Sequence, residues 1–315
     1  MLVMNKYVLN TPVVLLIFNR SDTTQIVLEK IRQVRPKKLI VVADGPRKEK
    51  LSEDKQCEIA RQIIDSVDWD CQVLKNYSES NLGCKNRISS GLDWAFEHVD
   101  RAIILEDDCD PDPTFFQFCE ELLEHYYQDD RIMAISGNNF QFGQKRTEYS
   151  YYFSRYPHCW GWATWRRAWQ HFDAKLSLWP LVKRNNLLND ILKDSSSVQY
   201  WNKIFQRTYN GEIDSWAYCW TLNCWLQSGL TVLPKVNLVS NIGFGASGTH
   251  TQDPSNPLSN LPSVSIAFPL SHPPYLIRDL RADKFTQMHI YGIKKWSLSR
   301  LFSRFKTKIE ALIKT

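Results

Sequence analysis

The stretch AIILEDDCDPDPTFFQFCEELL, residues 102–123, decides the reading of the chain. Arg101–Leu105 is apolar after its first residue and lacks the alternation of a half-exposed strand. It therefore reads as a β-strand buried on both faces. The strand stops at three consecutive carboxylates, Glu106, Asp107 and Asp108. A helix is then expected over Pro113–Tyr127.

Toward the N-terminus the same alternation repeats. Pro12–Phe18 and Lys38–Ala43 read as two more buried strands, and Asp70–Leu74 as a shorter one. Helices are expected from the cap candidates Asn19–Asp22 through Arg32, over Ser52–Ser66 and over Asn86–Glu97. On the other side, Ile132–Ser136 is a further strand. This βαβαβαβ order predicts an α/β fold with a mostly parallel, doubly wound, Rossmann-like twisted sheet and helices on both faces. Ligands of such sheets sit beyond the carboxyl ends of the strands. Asn19, Arg20, Asp44, Asn76 and the carboxylates 106–108 all fall there.

Beyond Ser136 the rhythm breaks. Tyr149–Trp169 is dense in aromatics, Gln199–Tyr209 and Tyr218–Ser228 look helical, and Thr231–Leu238 reads as a strand. Gly243–Pro274 is loop-like. Trp162, Trp165 and Trp169 recur at steps of 3 and 4, which predicts one face of a core helix.

Composition narrows the class. The chain has 315 residues, 43% hydrophobic and 23% charged, so it can bury a large core without disulfide staples. A net charge of +5, with its excess concentrated near the C-terminus, is too mild and too localised for a nucleic-acid binder. The eight cysteines show no C-x-x-C spacing and read as reduced thiols of a cytoplasmic protein rather than zinc ligands. Met1–Asn10 lacks a signal-peptide pattern, and no apolar run approaches the roughly 18–20 residues of a membrane span.

The carboxylates carry the chemistry. Three acidic side chains at the end of a buried strand repel one another, and packing gives no reason to place them there. A hard divalent cation, Mn²⁺ or Mg²⁺, removes that cost, and such ions are commonly held by one or two carboxylates plus substrate phosphates. A solvated acidic turn continuing through Asp110 and Asp112 is the alternative.

VLLIFNR (14–20), VVADGP (41–46), the 102–123 stretch and the Trp-rich segment after it together resemble a GT-A glycosyltransferase, and more closely the N-acetylglucosaminyltransferase I type, with E-D-D as the metal motif. The likeness continues more weakly through GEIDSWAYCW (211–220) and LPKVNLVSNIGFGASGTH (233–250). It implies that Arg20 contacts the nucleotide or diphosphate of a sugar donor and that Asp44 accepts from a uracil N–H. It further implies that Asp107 lies at the ribose or sugar, with Glu106 in support, and that Asp108 ligates the metal. Lys85 is a candidate for the diphosphate, or a solvated surface lysine. The expected organisation is a catalytic domain over 1–290, with a nucleotide-sugar-binding half at 11–136 and an acceptor half at 137–290. A basic amphipathic helix follows at 291–315.

In an inverting transferase one carboxylate takes the proton of the attacking hydroxyl. Asp214 in IDSW matches the family's counterpart, although Ile213 stands where the family has an acid. Glu212 is the fallback. Asp214 reads alternatively as the N-cap of the helix that follows it. Trp160, beside Gly161, offers a face for a sugar ring, with glycine permitting a close approach to ligand. Gly243–Gly248 matches G-x-G-x-x-G formally, but no helix pattern follows, so a loop closing over the donor is expected instead of a dinucleotide fingerprint. His250 is a candidate metal ligand or a plain surface histidine. In the tail, Leu298, Leu301, Phe302, Phe305, Ile309, Leu312 and Ile313 alternate with cations, as in a helix lying on an anionic membrane or packed on protein.

The expected activity is metal-dependent, inverting transfer of a hexosyl or N-acetylhexosaminyl group. The donor is a nucleoside diphosphate sugar, UDP-linked for preference, and the acceptor a glycan or lipid-linked saccharide. The work would take place in the cytoplasm, on the inner membrane face, in polysaccharide biosynthesis. A non-catalytic glycan-binding protein would leave the acidic strand end unexplained. A sugar-nucleotide pyrophosphorylase would need glycines after the first strand, and Asn19–Gln25 has none.

Overall fold

The computed structural model describes residues 7–245, 253 and 255–293. The N-terminal part alternates as the apolar runs dictate. The order is Val13–Ile17 (β1), Ser21–Val34 (α1), Lys38–Ala43 (β2), Glu53–Ile63 (α2, prolonged by a 3-10 turn), Gln72–Tyr77 (β3), Cys84–His98 (α3) and Arg101–Glu106 (β4). Then come Cys109–Pro111 (β5), Thr114–His125 (α4), Ile132–Ser136 (β6), Tyr151–Ser154 (β7), Trp162–Trp165 (β8) and Arg166–Trp169 (α5). Trp179–Arg184 (α6), Leu188–Leu192 (α7), Ser195–Tyr209 (α8), Trp216–Leu226 (α9), Leu230–Pro234 (β9), Val239–Asn241 (β10) and Leu280–His289 (α10) complete the order.

One sheet runs β3-β2-β1-β4-β8-β6-β9-β7 and crosses both halves of the sequence. β3, β2, β1 and β4 are parallel neighbours. β8 is antiparallel to β4 and β6, β9 is parallel to β6, and β7 is antiparallel to β9. In this sheet all strands but β8 and β7 thus point one way, which makes it mostly parallel.

Strand alternation assigns side chains to two cores. Val13, Leu15, Ile17, Val41 and Leu105 pack with Val27, Ile31, Phe115 and Leu122 of α1 and α4. Val14, Leu16, Val42 and Ile104 pack with Leu92, Phe96, Trp216 and Trp220 of α3 and α9. A third, aromatic core holds Tyr156, Trp179, Trp201, Phe205 and Trp225.

The expected helix through Trp162, Trp165 and Trp169 is not formed. Trp162–Trp165 is a strand, and residues three apart on a strand face opposite ways. Trp162 therefore packs on the α3/α9 side, and Trp165 on the α1/α4 side. All three tryptophans are buried, as expected, but an odd step also serves a strand buried on both faces. The strand expected over Thr231–Leu238 ends at Pro234, where proline can no longer donate to the ladder. The chain resumes as β10, antiparallel to β5, in a separate two-stranded ribbon.

Candidate active site

A cleft of about 370 Å³ opens at the carboxyl ends of β1, β2 and β4 and is lined in addition by residues 214–217. Arg20, Asp44, Glu106, Asp107, Asp108, Trp160 and Asp214, drawn from widely separated parts of the sequence, all line it.

The acidic trio sits where β4 ends. Glu106 is its last residue, opposite Leu16 of β1. Asp107 and Asp108 are buried. Asp107 accepts the Phe18 backbone N–H at 3.1 Å. Arg20 is placed by the turn between β1 and α1, with its Nη1 2.7 Å from Asp108 Oδ2 and 3.5 Å from Asp107 Oδ1. Burial, reinforced by the charge of Asp108 on both and of Asp107 on Glu106, pushes the carboxyls of Glu106 and Asp107 well above their ordinary range, against the opposing pull of Arg20.

The β5/β10 ribbon brings a distant segment onto Asp108. The Asn241 side-chain amide donates to Asp108 Oδ1 at 3.3 Å. The Ile242 N–H donates to the Asp108 carbonyl at 2.9 Å, which fastens the start of the glycine-rich loop to the end of β4. A Cβ on Gly243 would lie 2.1 Å from Asp108 Oδ2, so glycine is required for the backbone to lie this close.

Among the described residues no three His, Cys, Asp or Glu side chains form a closed metal site. The donor set offers instead one or two buried carboxylates in an open cleft. That fits a hard divalent cation whose remaining ligands come from phosphate oxygens and water. His250 lies outside the described residues, and so do residues 246–248 of the glycine-rich loop.

Asp44, after β2, is a local organiser as well as a lining residue. Its Oδ1 accepts the N–H groups of Gly45 and Leu82, both at 2.9 Å, and its Oδ2 accepts from the Asn81 amide at 3.0 Å. Burial raises its carboxyl above the usual range, while those backbone donors pull it back. The bonds to Asn81 and Leu82 tie the 78–83 loop to the cleft.

Asp214 is not the cap of the helix that follows it. Ser215 takes the N-cap position of α9. The Asp214 carboxylate instead accepts the Lys85 backbone N–H at 3.2 Å, in the first turn of α3, where unsatisfied helix N–H groups favour an anion. Lys85 meets the cleft through this backbone contact, and its side chain is not part of the lining. Glu212, the fallback, is exposed and bonded to Arg207 and Asn210, away from the cleft.

Trp160 is half-buried and lies edge-on to Phe140 and Phe244 at 5.4 and 5.6 Å. Gly161 has a packing reason of its own. Its φ of +70° and its contact with Val239 of β10 explain why glycine stands there. Asn76 is likewise spent internally, accepting from Arg87 at 2.8 Å.

Sequence reasoning missed Asn81, Arg87 and Asn241, which all line the cleft. Arg87 sits in the amphipathic pattern of α3 and is held by the carbonyls of Ala43 and Asn76, with nothing local to mark it.

The GNT-I family model matches residues 2–195. The chain belongs to the GNT-I family. This glycosyltransferase family is the one that the 102–123 stretch resembles, and the match includes the acidic trio, Arg20 and Asp44. It ends before Asp214 and Asn241. No curated protein matches the chain. Among solved structures, the chain is similar to one described as UDP-glucose pyrophosphorylase complexed with UDP-glucose, at 12% identity and a TM-score of 0.26. The likeness covers 45% of this chain and 62% of that one. Among the described residues of this GNT-I family chain, no helix is long and apolar enough to cross a membrane.

Proposed function

We propose that this GNT-I family chain is a divalent-metal-dependent, inverting glycosyltransferase. It moves a hexosyl or N-acetylhexosaminyl group from a nucleoside diphosphate sugar, UDP-linked for preference, to a hydroxyl of a glycan or lipid-linked saccharide. The supporting observation is the convergence of Asp107 and Asp108 with Asp214 in the lining of one cleft at the carboxyl ends of the strands. Polysaccharide biosynthesis at the cytoplasmic membrane face is the setting we assign to it.

In this reading Asp108, with Asp107 and Glu106 behind it, holds Mn²⁺ or Mg²⁺. The ion supplies the charge that stabilises the departing diphosphate. Arg20 turns from Asp108 toward the phosphates. Asp44, backed by Asn81, meets the base, and Trp160 offers a ring face to the sugar. Asp214, oriented by the Lys85 N–H, takes the proton of the acceptor hydroxyl as it attacks the anomeric carbon. Lys85 and His250 remain candidates for the diphosphate and the metal.

A thermal-shift screen of nucleoside diphosphates with and without Mn²⁺ tests the donor site. A ligand that binds only the folded state raises apparent stability by mass action. UDP should raise the melting temperature of the wild type only with Mn²⁺, and Asp108→Ala should lose that response. If no nucleotide acts with Mn²⁺ or Mg²⁺, the reading is overturned and glycan binding without catalysis takes its place.

A further inference from the structure

The far edge of the sheet carries a surface with a chemistry of its own. β7 is the edge strand opposite β3, and α10 packs along it. The inner side of α10 is fixed. Ala282 packs with Tyr152 and Leu233. Asp283 accepts from Ser154 Oγ at 2.6 Å and pairs with the buried Arg155 at 3.2 Å.

The outer side is a single stripe. Leu280, Arg281, Lys284 and Met288 are all exposed. At about 100° per residue they fall within roughly 100° of arc. Ile277, three residues earlier, is 70% exposed, the highest value among the described large apolar side chains after Leu51. The helix stripe therefore mixes two apolar side chains with two cations, and Ile277 adds an exposed apolar side chain three residues ahead of the helix start. Neither acid of the helix is exposed on it: Asp283 is buried, and Asp279, which caps the N–H groups of Arg281 and Ala282, is largely covered and lies 3.9 Å from the Arg281 guanidinium, itself 81% exposed. The sequence then continues, over residues 294–315, with seven lysines and arginines and one acid, Glu310.

We propose that Ile277, Leu280, Arg281, Lys284 and Met288 form the part of the folded body that seats on an anionic lipid bilayer. Apolar side chains reach the acyl boundary while the cations meet lipid phosphates. The charge complementarity is one-sided, because the face offers cations and no exposed acid. Four strand spacings, about 19 Å, separate β7 from β4, so this face leaves the cleft open while the enzyme rests on the surface. The proposal deepens the membrane setting assigned above and does not depend on the identity of the donor.

The test is co-sedimentation of the full chain with phosphatidylcholine vesicles, with and without phosphatidylglycerol. The wild type should partition onto the phosphatidylglycerol vesicles only, and lose binding as salt rises. Arg281→Glu with Lys284→Glu should weaken that partition about tenfold or more, from the roughly 1 kcal/mol each basic residue contributes near such a surface. Ile277→Ser with Met288→Ser should weaken it several-fold. Both variants change exposed side chains remote from the cleft, so their melting temperature and their response to UDP and Mn²⁺ should match the wild type. A loss of the nucleotide response in the wild type would strike the transferase reading and leave this one standing. The proposal is overturned if both variants bind as the wild type does, since the stripe then adds nothing. It is also overturned if the wild type is a dimer that these substitutions split, since the stripe is then covered by a second copy.

Discussion

At the scale of single residues, the cleft separates two carboxylates by what holds them. Asp108 is buried against Arg20 and Asn241, while Asp214 is exposed and oriented by one backbone N–H. Asp214→Asn should therefore keep the metal-dependent UDP response and lower kcat by about 10²–10⁴-fold, the usual contribution of a positioned general base. Equal loss of both would make Asp214 a structural tie between α3 and α9. His158 gives a separate test. It is buried beside Phe140, and burial lowers its pKa to about 3. A histidine held neutral in the folded chain loses protons relative to the unfolded one, so its contribution is complete above about pH 6.5 and is lost as pH falls toward 3. Denaturant unfolding across that range should show stability declining with acid, and a less steep decline in His158→Gln.

Single elements show where sequence is sufficient. β2 matches its expected range, and β1 and β6 lie within or on theirs, because runs such as LIVV allow no other burial. α3 is also legible, and it explains Gly91. A Cβ there would meet Val42 Cγ1 at 2.3 Å, so the helix lies against β2 only with glycine. Gly91→Ala should cost about 1–3 kcal/mol by overpacking, measured by denaturant melts. The illegible elements are short or two-faced. β5 and β10 are three residues each and gain their partners from distant parts of the chain, so no window of sequence shows them. Asn241 escapes a sequence reading for that reason. β8 reads as a helix because its tryptophans serve both cores.

At the scale of the whole molecule, one buried ion pair fastens the last described helix to the sheet edge. Asp283→Ala leaves Arg155 buried without its carboxylate and should cost about 3–5 kcal/mol. Limited proteolysis should then release fragments cut near residues 275–280. The sheet order has a further consequence for how the chain is made. β4 waits for β8, and β6 for both β8 and β9, whose pairing with β6 joins residues some 98 positions apart. At 5–20 residues per second a ribosome needs roughly 5–20 s to cover that distance. Throughout that interval the nascent chain carries an apolar strand with an open edge, the kind of surface on which strands of other chains add. Yield in cells should accordingly depend on chaperone supply and on the speed of translation between residues 136 and 234, before any property of the finished enzyme comes into play.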